Sequence, residues 1–242
     1  MSKNNDSIRQ LPDWELLLAS AARLQCVLPD AVLAGGTAAA IHARHRFSHD
    51  ADHVLTDLRE RFDEILAQLE SVAGWKTARV KRPVLILGSL DGIETGVRQL
   101  IRDAPLETTA FDYQGQSITV PTVDEILRIK GVLILRRNAT RDYLDFAALA
   151  DRLGDVLVSL ALRDFDQLYP QESGESSLQQ LQVQLASPMP YDLEEIELSE
   201  YKDLIPHWQD WNSVKALCSH LSIMIFDRVC EVNAPSTKPK RL

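Results

Sequence analysis

Two aspartates one residue apart, Asp50 and Asp52, close the stretch LAGGTAAAIHARHRFSHDADHV over residues 33–54. On a β-strand, side chains two apart project from the same face, separated by ~6.6 Å along the backbone. Such a pair reaches two divalent ions held ~3.5–4 Å apart, the spacing that phosphoryl transfer uses. Magnesium prefers the oxygens of carboxylates and phosphates. Some fifteen residues upstream, Gly35 and Gly36 carry no side chain, so the backbone can come close to a phosphate there. A helix starting after them offers free N–H groups to the anion. The order strand, glycine pair, helix, D-x-D therefore suits a nucleoside triphosphate site. The competing reading is a glycine turn followed by a solvated acidic loop.

Four histidines, His42, His45, His49 and His53, fall in the same stretch. At helical spacing they would bind zinc, and His49–Asp50 resembles the dyad of HD-type phosphohydrolases. Both readings need a helix through 45–53. Phe47, Ser48 and the short alternating segment after them favour a strand instead, which leaves the histidines as surface or supporting groups.

The elements that must position these groups follow from periodicity. Residues 13–25 have apolar residues at helical spacing, 31–34 form a short apolar run entering the glycine turn, and Thr37 opens an alanine-rich helix to about Arg44. Residues 50–55 suit a strand and 58–69 a helix, with Gly74 as a stop signal. From 75 to 120, five short apolar runs punctuated by Gly and Pro suit strands, the last two joined by a hairpin at Gln114–Gly115. Thr122 and Glu125 have capping-box spacing before a helix to about Arg137. Thr140 caps another helix that stops at Gly154. The remainder is mainly helical, with loops at 170–177 and 187–195 and a tail, NAPSTKPKRL, of disordered character. The outline is an α/β domain over 1–120 and a helical domain over 121–242.

The chain has 242 residues, 45% hydrophobic and 25% charged, with a net charge of −9. That size supports a substantial core. The acidic balance argues against a protein that coats nucleic acid but leaves room for a local basic groove. No apolar run approaches the ~18 residues that would span a bilayer, so a cytoplasmic protein without membrane contact is expected. Cys26, Cys218 and Cys230 are too scattered for a disulfide framework or a zinc site and read as buried free thiols. In the C-terminal third, Val214, Leu217, Leu221 and Ile225 have core spacing, and Trp208 and Trp211 suit packing between helices rather than stacking on a base.

The run from Leu33 to His53 resembles the signature of AbiEii/AbiGii-type nucleotidyltransferases, toxin components of bacterial toxin–antitoxin and phage-abortive systems. Their pattern is a GG[TS] turn, a short helix and R-x-S-x-D-x-D. Gly35, Gly36, Thr37, Arg46, Ser48, Asp50 and Asp52 match it in order. A second block, RIKGVLILRRNATRDYLDFAAL, matches the family's helical lysine and the basic-Asp pair opening the next helix, through Lys130, Arg141, Asp142 and Asp145. Together the blocks cover roughly the first 155 residues. The resemblance implies an α+β fold of the DNA-polymerase-β-like kind: a nucleotidyltransferase-like mixed sheet flanked by helices, then a mainly helical C-terminal region. Two departures stand out. Ala51 replaces a larger aliphatic and His53 an apolar residue, which implies a less buried strand. A third carboxylate on a neighbouring strand is expected in this fold, with Asp91 or Glu94 as candidates.

Arg128, Lys130, Arg136, Arg137 and Arg141 form a basic run without an acid, which would suit triphosphate or RNA phosphates; Lys130 is the expected triphosphate contact. Asp142 would assist the acceptor or complete the charge network, and Asp145 would pair with a neighbouring base. The expectation is a Mg²⁺- or Mn²⁺-dependent transferase. It would move NMP from an NTP to a hydroxyl of RNA, such as a tRNA end, or of protein. Asp50 and Asp52 would hold metal, with Gly35, Gly36, Thr37, Arg46 and Ser48 around the triphosphate. The resemblance implies a toxin-like role and a cognate antitoxin. The alternative is a non-catalytic module that binds a nucleotide or a protein.

Overall fold

The computed structural model describes residues 13–233, so the expected disordered tail lies almost wholly outside the described residues. The chain divides into two compact units, Met1–Ile126 with Ser199–Ile205, and Leu127–Leu198 with Pro206–Leu242.

The first unit is built on a five-stranded mixed sheet of order β1-β2-β5-β4-β3. Its strands are β1 (Val32–Leu33), β2 (Asp50–Leu55), β3 (Trp75–Lys81), β4 (Leu85–Leu90) and β5 (Ile93–Gln99). β2 runs parallel to β5, and the other pairings are antiparallel. Helices α1 (Asp13–Val27), α2 (Gly35–Ala43) and α3 (Phe62–Glu70) complete the α/β part. Alternation fixes which face of the sheet is buried. Along β2, Ala51, His53 and Leu55 are buried, while Asp50, Asp52 and Val54 are half-buried. The inner face packs into two clusters. One joins Leu24 of α1 and Ile65 and Leu69 of α3 to Leu55, Ile86 and Val97. The other joins Leu17 and Ala21 of α1 to Leu33, Ala51 and Ile118. The strand is therefore fully buried on its inner face despite Ala51 and His53, contrary to the expectation of a less buried one: the small alanine admits α1 closely.

Strands β6 (Thr108–Tyr113) and β7 (Gln116–Pro121) form the expected hairpin. Gln114 and Gly115 both have positive φ, 50° and 78°, which suits the turn that matches strand twist. The Thr122 hydroxyl accepts from the Glu125 N–H at 3.2 Å. The Glu125 carboxylate completes no box with Thr122. It accepts from Arg102 at 2.7 Å and from the Glu107 N–H at 3.1 Å, while the Thr122 N–H donates to the Glu107 carbonyl.

The second unit is helical. It takes most of α4 (Val123–Arg137), then α5 (Thr140–Leu153), α6 (Asp155–Ala161), α7 (Phe165–Leu168), α8 (Ser177–Ala186) and α9 (Trp211–Asn233). Thr140 is the first residue of α5 rather than its cap; its N–H and hydroxyl both donate to Asp192, each at 2.7 Å. Val214, Leu221 and Ile225 are buried, as is Trp208, and Trp211 packs edge-on against Tyr143. Cys218 is buried, where desolvation pushes its thiol up to about 12, whereas Cys26 is exposed, against expectation. Among the described residues no helix is long and apolar enough to cross a membrane.

Candidate active site

The glycine pair is the first turn of α2, not a turn ahead of it. Gly35 has φ +67°, a conformation that L side chains rarely adopt, and its absent Cβ would lie 3.6 Å from Asp52 Cβ. A Cβ on Gly36 would stand 2.7 Å from Arg46 Nη2 and 2.8 Å from Ser48 Oγ. Gly35 is thus favoured by its backbone conformation, and Gly36 by the close approach of Arg46 and Ser48. Ser48 Oγ donates to Asp50 Oδ1 at 2.8 Å. Thr37 Oγ1 donates to the Asp50 carbonyl at 2.5 Å, and the Ala34 N–H donates to the Asp52 carbonyl at 2.8 Å. All seven residues of the first sequence block therefore meet in one place, around the N-terminus of a nine-residue helix.

Asp50 and Asp52 project from one face of β2 and remain half-buried. Arg98 of β5 stands against Asp52, Nη2 to Oδ2, at 3.3 Å. The strand register separates the two candidates for a third acid. Glu94 is directly opposite Asp50 on the parallel neighbour and shares its face, so the Cβ atoms of the pair lie about 5 Å apart. Asp91 lies in the β4–β5 turn with φ +53° and pairs with Arg23 of α1. Among the described residues no group of three or more His, Cys, Asp or Glu is gathered closely enough to hold a metal ion. The donor set is nonetheless hard oxygen, and two carboxylates beside an anion-binding helix start fit magnesium, which takes its other ligands from phosphate and water.

Residues 44–49 are not helical and lead directly into β2, so neither zinc at helical spacing nor an HD dyad is formed. His45 and His53 are fully buried rather than at the surface.

One component has no local sequence signal. The segment Ser199–Ile205 belongs to the first unit and straps the loop that carries Arg46 and Ser48. The Phe47 N–H donates to the Lys202 carbonyl and the Ile205 N–H to the His45 carbonyl, both at 2.9 Å. The Arg46 guanidinium, buried, lies 5.6 Å from the centre of the Tyr201 ring. Lys202 pairs with Asp13, and Phe47 stacks on Trp14 at 5.0 Å.

In the second unit, Lys130 of α4 is 1% exposed and lies 2.7 Å from Asp145 and 3.7 Å from Asp142. Arg137 also holds Asp142, with Nη2 donating to Oδ1 at 2.6 Å. Arg128 is buried and donates to the Ala161 carbonyl. The five basic residues of this block thus do not form one exposed patch: two are interior, Arg137 is committed to Asp142, and Arg136 and Arg141 are exposed.

A glycine-lined helix start facing paired carboxylates on a mixed sheet is the arrangement of a nucleotidyltransferase. The chain belongs to the AbiEii family: residues 17–222 match the family described as nucleotidyl transferase AbiEii toxin, type IV TA system. Parts of the chain are also similar to curated mycobacterial proteins. It is 31% identical over 129 residues to the mycolic acid-containing lipids exporter MmpL11 of Mycolicibacterium smegmatis, covering 52% of this chain and 13% of that protein. It is 39% identical over 95 residues to the heme uptake protein MmpL11 of Mycobacterium tuberculosis, covering 38% of this chain and 10% of that one. The chain spans about one-eighth or less of the length of these relatives. Among solved structures, JHP933 from Helicobacter pylori is 13% identical, with 96% of each chain covered and a TM-score of 0.48. ANT(2")-Ia in complex with adenylyl-2"-tobramycin is 14% identical, covering 63% of this chain and 97% of that one, with a TM-score of 0.47.

Proposed function

We propose that the protein transfers a nucleoside monophosphate from an NTP to an acceptor hydroxyl, at the site formed by α2, β2 and β5. The observation that carries this reading is the convergence of Gly35, Gly36, Arg46 and Ser48 on the half-buried face of β2 that bears Asp50 and Asp52. The α2 N-terminus and Arg46 would hold the triphosphate. Ser48 orients Asp50, and Thr37 ties the strand to the helix. Asp50 and Asp52 would hold Mg²⁺ or Mn²⁺, which when bound neutralises charge on the phosphates. The acceptor oxygen forms a bond to the α-phosphorus while the α–β phosphoanhydride bond breaks and pyrophosphate leaves. Glu94, exposed and beside Asp50, would serve as the third carboxylate and take the hydroxyl proton. Lys130 and Asp142 enter the reading as a coupled pair, 3.7 Å apart within the second unit.

The acceptor we favour is RNA, a tRNA end being the simplest form, and family membership supports a toxin role restrained by an antitoxin in the cytoplasm. A second reading is a nucleotide-binding module without transfer. It is favoured by Arg98, a cation already standing against Asp52. Incubation with each α-labelled NTP, Mg²⁺ and total RNA separates the two. Label should move to RNA with wild type and fall about 100- to 1,000-fold with Asp50→Ala. Tight NTP binding with no label on RNA or protein would establish the module instead.

A further inference from the structure

Edge strand β3 carries a basic row that the chemistry of the acid pair does not use. The run 76–82 holds Lys76, Arg79, Lys81 and Arg82 and no acid, in a chain of net charge −9. Arg82 is committed: it pairs with Asp63 and covers the Phe62 ring. Lys76, Arg79 and Lys81 are exposed, and among the described residues none of them has an ion-pair partner.

Register puts all three on one face. Lys76 pairs with Ser89, Arg79 with Leu87 and Lys81 with Leu85. Continuing across the sheet, Ser89 pairs with Glu94, Leu87 with Gly96 and Leu85 with Arg98. Glu94 and Gly96 in turn pair with Asp50 and Asp52. Paired residues share a face, so the row lies on the face that bears the acids, three strand spacings or about 14 Å away. A register shift between Thr77 and Arg79 makes this possible. Without the shift, strict alternation through Ala78 would have sent Arg79 and Lys81 to the opposite face. Half-buried Leu85 and Leu87 lie beside the row, and Glu94, Gly96 and Arg98 of β5 stand between them and the acids.

We propose that Lys76, Arg79 and Lys81 are the docking track for the phosphate backbone of an RNA acceptor, leading its end to Asp50 and Asp52. The proposal rests on the transferase reading for its direction, but not for its binding. Cations at strand spacing match a linear polyanion, and the leucines beside them accept unstacked bases. No base-edge reader stands in the row, so docking is independent of sequence.

The test is fluorescence anisotropy of a labelled single-stranded RNA of mixed sequence, roughly 20 nucleotides long, with full-length protein and no NTP. The Lys76→Glu/Arg79→Glu/Lys81→Glu variant should bind at least about tenfold more weakly, with a salt slope shallower by about 2, since each phosphate contact to a single strand contributes about 0.7. The Lys76→Arg/Lys81→Arg variant should bind like wild type, and the single Arg79→Glu change should fall between. Lysines on edge strands also serve to block aggregation. If that is their whole role, the triple variant will keep wild-type affinity and slope, which overturns the proposal. Failure of wild type to bind RNA, or displacement of the RNA by polyglutamate at equal charge, overturns it too, the latter in favour of an acidic protein partner. Docking by wild type without label transfer would refute the transferase reading and leave the track standing.

Discussion

At Gly36 a single methyl group would crowd the residues proposed to cradle phosphate. The Cβ of Gly36→Ala would meet Arg46 Nη2 at 2.7 Å and Ser48 Oγ at 2.8 Å, both far ends of side chains that can swing away. Stability should therefore change by less than about 1 kcal/mol, while KM for the NTP rises about tenfold because the displaced groups are the ones proposed to hold the triphosphate. Steady-state kinetics set beside a thermal melt separate the two effects; a lowered melting temperature with unchanged KM would count against the cradle. His53 gives a second outcome at this scale. Burial pushes its imidazole from 6.5 down to about 4, so between those values the unfolded chain binds a proton that the folded chain refuses. Stability must then fall as pH drops from about 6.5 toward 4, by up to about 3 kcal/mol. His53→Leu should flatten that limb in urea titrations run at a series of pH values.

Between helices α4 and α5, Lys130, the expected triphosphate contact, closes an interior charge cluster. Removing one partner from a buried pair leaves an uncompensated charge, at a cost of about 3–5 kcal/mol. Lys130→Met should show that loss in urea unfolding because it removes the cation that lies 2.7 Å from Asp145; adding Asp145→Leu should recover most of it. The resemblance grouped Lys130 with Asp142 and Asp145, which spacing puts one turn apart on α5. Neither shows that the group points inward, since the basic run of α4 holds both buried Arg128 and Lys130 and exposed Arg136 and Arg137. The strands and their punctuation were legible for the same reason that spacing works: period 2 along β2 and β4 places Asp50 and Asp52 opposite the core. What was not legible was pairing. Choosing Glu94 over Asp91 required knowing that β2 and β5 run parallel and in which register, and the parity of β3 required the register shift at Thr77.

Across the whole chain, the site is closed by residues some 150 positions downstream of its signature. The chain leaves the first unit after Ile126 and returns to it at Ser199, so an intact first unit depends on sequence beyond the α/β region. Two backbone hydrogen bonds hold the strap to the loop at His45 and Phe47, each worth about 0.5–1.5 kcal/mol. The Arg46–Tyr201 contact adds about 1 kcal/mol or more, because the guanidinium is buried. If the strap fixes the loop, loosening it must release the Phe47 amide without unfolding the sheet. Ile205→Pro removes the donor to the His45 carbonyl, and Tyr201→Ala removes the ring beneath Arg46. Either should speed hydrogen exchange at Phe47 about tenfold or more, leave Val97 in the sheet protected, and raise KM for the NTP more than it lowers kcat. Tyr201→Phe keeps the ring face and should behave like wild type. Faster exchange throughout β2 and β5 would instead mean that the strap supports the fold as a whole, and an unchanged Phe47 would mean that Trp14, stacked on the same side chain, is sufficient to hold the loop.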